Sequence, residues 1–119
     1  MRGGEEMNNE SILLSIKKLL GINDEYDVFD SDIILHINTT FATLRQLGVG
    51  PSTGFYVQDA STTWADILGD DPRLNLIKSY VYFRVRTSFD PPTSSAAMDA
   101  ISRQISELEW RINSITDYE

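Results

Sequence analysis

His36 is the only histidine in the chain, and the residues around it do not complete a reactive set. The sequence has no cysteine, so a Cys–His pair, a thiolate metal site and a disulfide are all excluded. The members of a Ser–His–Asp arrangement can be far apart in sequence. Yet no serine here sits in the small-residue elbow that exposes such a nucleophile. His36 lies one step off an apolar helical stripe and reads as a residue at the edge of a core. The acidic run of Asp24, Glu25, Asp27, Asp30 and Asp32 offers oxygen ligands for calcium. It lacks the glycine at loop position six and the glutamate at twelve that shape a helix-loop-helix calcium site, so it reads as a solvated connection with capping charges. Gly48-Val49-Gly50 follows a helical pattern instead of a strand, which makes it a helix stop and not a phosphate cradle. Arg84 and Arg86 stand in an apolar segment with few other cations, and salt bridges to the many carboxylates are their expected use. No catalytic, cofactor-binding or metal-binding residue is assigned, and the chain is not expected to be an enzyme.

The elements that would position any site follow from composition and periodicity. A chain of 119 residues with 41% hydrophobic and 10% aromatic residues can bury one sizeable core. Ten Lys and Arg against eighteen Asp and Glu give a net charge of −8 with no basic block. Tight binding to a phosphate backbone depends on neutralising phosphates with cations, so it is not expected. No apolar stretch approaches the roughly 20 residues that cross a bilayer, and no export leader is read at the N-terminus. The expected location is therefore the reducing cytoplasm. Residues 1–8 are polar and aperiodic and are expected to form a disordered tail, with residues 9–119 as a single helical domain.

From Asn9 onward, Ile12, Leu13, Ile16, Leu19 and Leu20 recur at helical spacing, with Ser15, Lys17 and Lys18 between them and Gly21 as a left-handed stop. A second helix carries Ile33, Ile34, Ile37, Phe41, Leu44 and Leu47 on one face. Asn38, Thr39 and Thr43 lie on its polar face, and it ends at Gly48 ahead of Pro51. Asp30 or Ser31 is its expected cap, with Phe29 stapled onto Ile34. The stretch 48–60 is the main loop, with turns and one short strand expected around Phe55, Tyr56 and Val57. Ser61 is expected to cap a short helix bearing Trp64, Ile67 and Leu68. Gly69 ends that helix, and Asp71-Pro72 restarts the chain as N-cap and first helical residue. Residues 74–89 alternate as a strand would at Val81, Phe83 and Val85. Their two helical stripes and the Asp-Pro start nevertheless predict a helix, the central and most buried one. Asp90-Pro91-Pro92 breaks it. A last helix over 95–114 has the stripe Ala97, Ile101, Ile105, Leu108, Ile112 and Ile115, with Glu107 and Arg111 paired on its exposed side. The expected fold is all-α, a compact bundle of four to five helices with one long loop able to hold a short strand or hairpin.

Trp110 does not fit that last stripe. At about 100° per residue it points away from Ile101, and Arg103, Glu107 and Ser114 lie near it. An aromatic rimmed by polar and charged groups has the composition of an interaction surface, and cover by the tail or long loop of its own chain is the competing reading.

Seven stretches carry a resemblance that spans nearly the whole chain after the tail. They are Leu19-Leu20-Gly21-Ile22, Asp32-Ile33-Ile34-Leu35-His36-Ile37-Asn38, Leu47-Gly48-Val49-Gly50-Pro51, Trp64-Ala65-Asp66-Ile67-Leu68-Gly69-Asp70, Lys78-Ser79-Tyr80-Val81-Tyr82, Phe89-Asp90-Pro91-Pro92-Thr93-Ser94 and Glu107-Leu108-Glu109-Trp110-Arg111. Their order, and above all the Asp-Pro-Pro break ahead of a Glu-Trp-Arg helix, resembles the small phage head-tail connector (adaptor) proteins, also found in prophages. The resemblance implies a helical subunit that forms a ring, commonly twelve-fold, beneath the portal protein and above a downstream adaptor or stopper. DNA would be passing cargo, the place the virion neck, and the work structural. It supplies no catalytic residues. By analogy with ring assemblies, Phe55, Tyr56, Arg103, Glu107 and Trp110 are the candidate protein–protein contacts. The alternative is a small helical nucleic-acid-binding phage protein of DNA packaging or regulation, whose signature would be a basic recognition helix.

Overall fold

The computed structural model describes residues 10–51 and 56–118, with side chains as far as Ser114. The tail expected at residues 1–8 and Phe55 lie outside the described residues, as does the side chain of Ile115. Five helices follow one another: α1 Ile12–Leu20, α2 Asp30–Gln46, α3 Trp64–Leu68, α4 Leu74–Phe89 and α5 Ser95–Tyr118.

α1 begins because the Ser11 hydroxyl accepts from the Leu14 N–H, and it stops because Gly21 sits at φ 81°, a backbone state that costs a side-chain-bearing residue steric strain. The Gly21 and Ile22 N–H groups then donate back to the Lys18 and Lys17 carbonyls, closing the helix end. α2 ends in the same way. Gly48, at φ 87°, donates to Arg45, and Val49 donates to Leu44 while burying its own side chain.

The start of α2 differs from expectation. Its cap position is Phe29, which supplies no side-chain hydrogen bond, and Asp30 already lies in the first turn. Asp30 is drawn away from capping by the Lys17 ammonium at 2.8 Å. The Phe29 ring meets Tyr26 and Phe89 edge-on instead of serving only as a local staple.

No strand forms among the described residues. The Val57 backbone, instead of pairing with another strand, is held by Asn38 of α2. The Asn38 side-chain amide donates to the Val57 carbonyl at 3.0 Å and its oxygen accepts from the Val57 N–H at 2.7 Å. A carboxamide presents the same donor and acceptor as a peptide group and can stand in for a neighbouring strand. Asn38 therefore lies under the loop, half-buried, and not on a solvated face. The extended backbone that does pair is a single bridge between Ser11 and Thr63, ahead of α1 and α3.

Thr63, not Ser61, caps α3. Its hydroxyl accepts from the Asp66 N–H, and the Asp66 carboxylate accepts from the Thr63 N–H. Ser61 is turned onto the Asp59 carboxylate. The cap delivers Trp64 wholly into the core, where its ring packs 6.2 Å from Phe41 and its indole N–H donates to Ser15 of α1 at 3.2 Å. Truncating a buried tryptophan of this kind costs roughly 3–5 kcal/mol.

α4 begins two residues later than the Asp-Pro signal implied. Asp71 and Pro72 form a turn, and the Asp71 carboxylate accepts from both the backbone and the Nε of Arg73. The helix itself is as central as expected: Ile77, Tyr80, Val81 and Val85 are buried, and α1, α2 and α5 all pack on it. α5 runs antiparallel to α4, with the Tyr80 hydroxyl donating to Glu109 at 2.7 Å. From that contact α5 extends fourteen residues back to Ser95, whereas α4 extends nine forward to Phe89. Ala97 is exposed, and the stripe of α5 enters the core only with Leu108 and Ile112, flanked by half-buried Ile105.

Candidate protein-protein interface

Lys17 organises the first candidate surface. Periodicity places it between apolar positions of α1, but its side chain is fully buried. The ammonium donates to the carbonyl oxygens of Asp24 at 3.0 Å and Tyr26 at 2.9 Å and pairs with the Asp30 carboxylate at 2.8 Å. The Asp30 oxygen it meets accepts no hydrogen bond, so that contact is an ion pair lying off the hydrogen-bonding direction. Two hydrogen-bonded carbonyl oxygens and one carboxylate countercharge compensate the buried cation. They also fix the α1–α2 connection as a rigid knuckle. Its outer side shows Tyr26 and Val28, 50% and 66% exposed, beside Phe29. The rings run Tyr26, Phe29, Phe89, with centroids 5.8 and 5.3 Å apart, so the ladder joins the knuckle to the end of α4. Asp24, Glu25, Asp27 and Asp32 surround it, all exposed.

The second surface is the outer face of α5. Leu108 and Ile112 face the core, and the helical rotation turns Trp110 away from it, leaving the indole 71% exposed. No described segment of the chain covers it. Arg103 and Glu107 share this exposed face, and Glu107 pairs with Arg111 at 3.7 Å. A further exposed aromatic is Tyr56. With Val57 pulled inward by Asn38, the neighbouring side chain points out and is 62% exposed. Of the residues singled out by sequence, Arg103, Glu107 and Trp110 share one face. Tyr56 stands on the loop beside Val57, which Asn38 of α2 holds.

The knuckle escaped sequence reasoning because its carboxylates were read as caps and solvated charges. The available signal was the interleaving of Tyr26, Val28 and Phe29 with the acids, apolar groups too closely spaced for either helix or strand.

Among the described residues the His36 ring has no hydrogen-bond partner, and no group of three His, Asp or Glu side chains is placed to hold a metal ion. A groove of about 260 Å³ beside α1 is lined by Glu10, Ser11, Leu14, Ser15, Lys18 and Asp24. Its Ser15 hydroxyl donates to the Ser11 carbonyl at 2.6 Å, accepts from the Trp64 indole N–H and lies 3.4 Å from the Glu10 carboxylate, with no histidine in the groove lining. Arg84 and Arg86 do not make the expected salt bridges among the described residues. The Arg84 guanidinium lies over the Tyr80 ring at 5.9 Å, and Arg86 donates to the Tyr82 hydroxyl at 3.1 Å. Burial, reinforced by its bond to Glu109, pushes the Tyr80 hydroxyl well above its usual range, so it remains a donor throughout ordinary pH.

The described residues thus form a helical domain that leaves apolar groups exposed at the α1–α2 connection, at Tyr56 and on the outer face of α5. The family model described as phage connector protein matches residues 12–119, and the chain belongs to that family. Its role is accordingly that of a phage connector-type structural protein. No curated protein and no solved structure matches the chain.

Proposed function

We propose that the chain is a subunit of a head-tail connector in the virion neck, assembling from the host cytoplasm beneath the portal protein. Neighbouring copies form a homo-oligomeric ring, twelve-fold in the virion. The ring extends the DNA channel and passes on to a downstream adaptor or stopper. The observation that carries this reading is the family match over residues 12–119. Two physical features support it. Exposed Tyr26, Val28, Tyr56 and Trp110 are apolar groups on ordered backbone, which is what permanent neighbours bury. The net charge of −8 suits the wall of a conduit, since a negative lining lets DNA slide without adhering.

The test is to mix the purified protein with the portal protein encoded in the same phage or prophage genome and to image the product by electron microscopy. A ring appended to one end of the portal is the expected result. Consistent failure to bind the portal would sink the proposal, and retention of duplex DNA at physiological salt would favour the nucleic-acid-binding alternative.

A further inference from the structure

The knuckle and the Trp110 face differ in charge and in position, and both differences bear on how two copies meet. Around Tyr26, Val28 and Phe29 stand the exposed carboxylates of Asp24, Glu25, Asp27 and Asp32, while Asp30 is already paired with Lys17. Around Trp110 stand the guanidinium groups of Arg103 and Arg111, with Glu107 taking up part of Arg111. One surface is aromatic and acidic; the other is aromatic and of mixed sign, its Arg103 and Arg111 guanidinium groups standing among Asp99 and Glu107.

They also lie at different heights on the molecule. The knuckle rests on Phe89 at the end of α4, whereas Trp110 follows Glu109, which bonds Tyr80. Nine residues of α4 separate the two levels, about 13 Å along its axis. Two unlike patches at different heights on one chain make a head-to-tail contact, the kind that closes into a ring, instead of a self-complementary pair. The knuckle is moreover held in shape before anything docks on it. Lys17 grips the carbonyls on either side of Glu25, and the N–H groups of Tyr26 and Asp30 donate to the Asn23 and Asp27 carbonyls. Docking a surface that is already ordered avoids the cost of ordering it.

Resting on the ring-subunit reading above, we infer that the acidic aromatic knuckle of one copy seats on the Trp110 face of α5 in the next. Tyr26, Val28 and Phe29 cover the indole, and Arg103 and Arg111 meet Asp24, Glu25 and Asp27.

The absence of native cysteine permits a direct test by cross-linking. Ser31→Cys places a thiol in the first turn of α2 beside the knuckle. Ser106→Cys places one on the Trp110 side of α5. Both serines are exposed and stand outside the proposed contacts. The two proteins, one of them isotopically labelled so that the three dimers differ in mass, are mixed and mildly oxidised, and the disulfide-linked dimers are counted by mass spectrometry. The mixed dimer is expected in several-fold excess over its statistical share, and adding Trp110→Ala to the Ser106→Cys protein, or Asp27→Lys to the Ser31→Cys protein, removes the excess. A statistical mixture of the three dimers overturns the inference, as does an excess that survives both substitutions. The outcome is separate from the portal experiment: rings on the portal with statistical cross-linking leave the connector reading standing and this interface refuted. Specific cross-linking without portal binding does the reverse.

Discussion

Replacing Lys17 by methionine removes a buried cation while nearly keeping its unbranched volume, so the change isolates the electrostatic part of the knuckle. The wild-type ammonium is wholly buried and serves the Asp24 and Tyr26 carbonyls and the Asp30 carboxylate. Removing one member of a buried charge pair costs on the order of 3–5 kcal/mol, mostly because the other charge is left unpaired. Asp30 retains 28% exposure of its side chain, so water recovers part of that loss, and the freed carbonyls lie near the surface. An estimate of about 3 kcal/mol follows. For a domain of this length that corresponds to a fall in Tm of roughly 12 °C. Urea and thermal unfolding followed by circular dichroism measure it. Asp30→Asn alone should cost at least as much, on the order of 3 kcal/mol, since it leaves a wholly buried ammonium with two carbonyls and no countercharge. The double variant should cost less than the two single changes added together, because the changes share a partner. Hydrogen exchange at residues 24–30 should rise in Lys17→Met while α4 stays protected. A Lys17→Met protein within about 0.5 kcal/mol of wild type, with the 24–30 amides unchanged, would refute the reasoning that one buried ammonium shapes the knuckle.

Other perturbations test other joints. Asn38→Ala removes both hydrogen bonds to Val57 and should destabilise by about 2 kcal/mol in urea titration, with proteolytic nicking of the 48–60 loop becoming faster. Gly21→Ala meets open space but must hold φ near 81°, so about 1 kcal/mol of backbone strain is expected in thermal unfolding, with no change in fold by circular dichroism. The hydrogen bond from Arg73, set against some opposing burial, holds the Asp71 carboxyl below its ordinary value of 3.8. A lowered folded pKa stabilises the folded state fully above the unfolded value and loses that stabilisation as pH falls through the folded one. The stability gap between wild type and Asp71→Asn should therefore narrow on acidification from about pH 5 to about pH 3, and a gap that widens would reverse the assignment.

The helical class, the order of the five elements and the centrality of α4 were determined by sequence, because they depend on local periodicity and on glycine and proline, whose effects are confined to their own backbone. Gly21, Gly48 and Gly69 ended helices where their patterns stopped. The exposure of Trp110 was legible for the same reason, since the rotation of one helix fixes which residues oppose its buried stripe. The caps were less legible. Asp30, Ser61 and Asp71 are all good capping residue types, and in each case a neighbour took the carboxylate or hydroxyl first: Lys17, Asp59 and Arg73.

Only the tertiary structure decided what lies under the loops. Lys17 looked like a solvated lysine because hydropathy cannot see that α1 is followed by a turn bringing three oxygens onto its ammonium. Asn38 looked like surface because its partner lies nineteen residues away in the chain. The sequence therefore determined the helices and the outward tryptophan. The three-dimensional fold determined that an acidic connection is a rigid aromatic knuckle, because pairing a buried charge depends on which chain segments meet and not on the residues beside it.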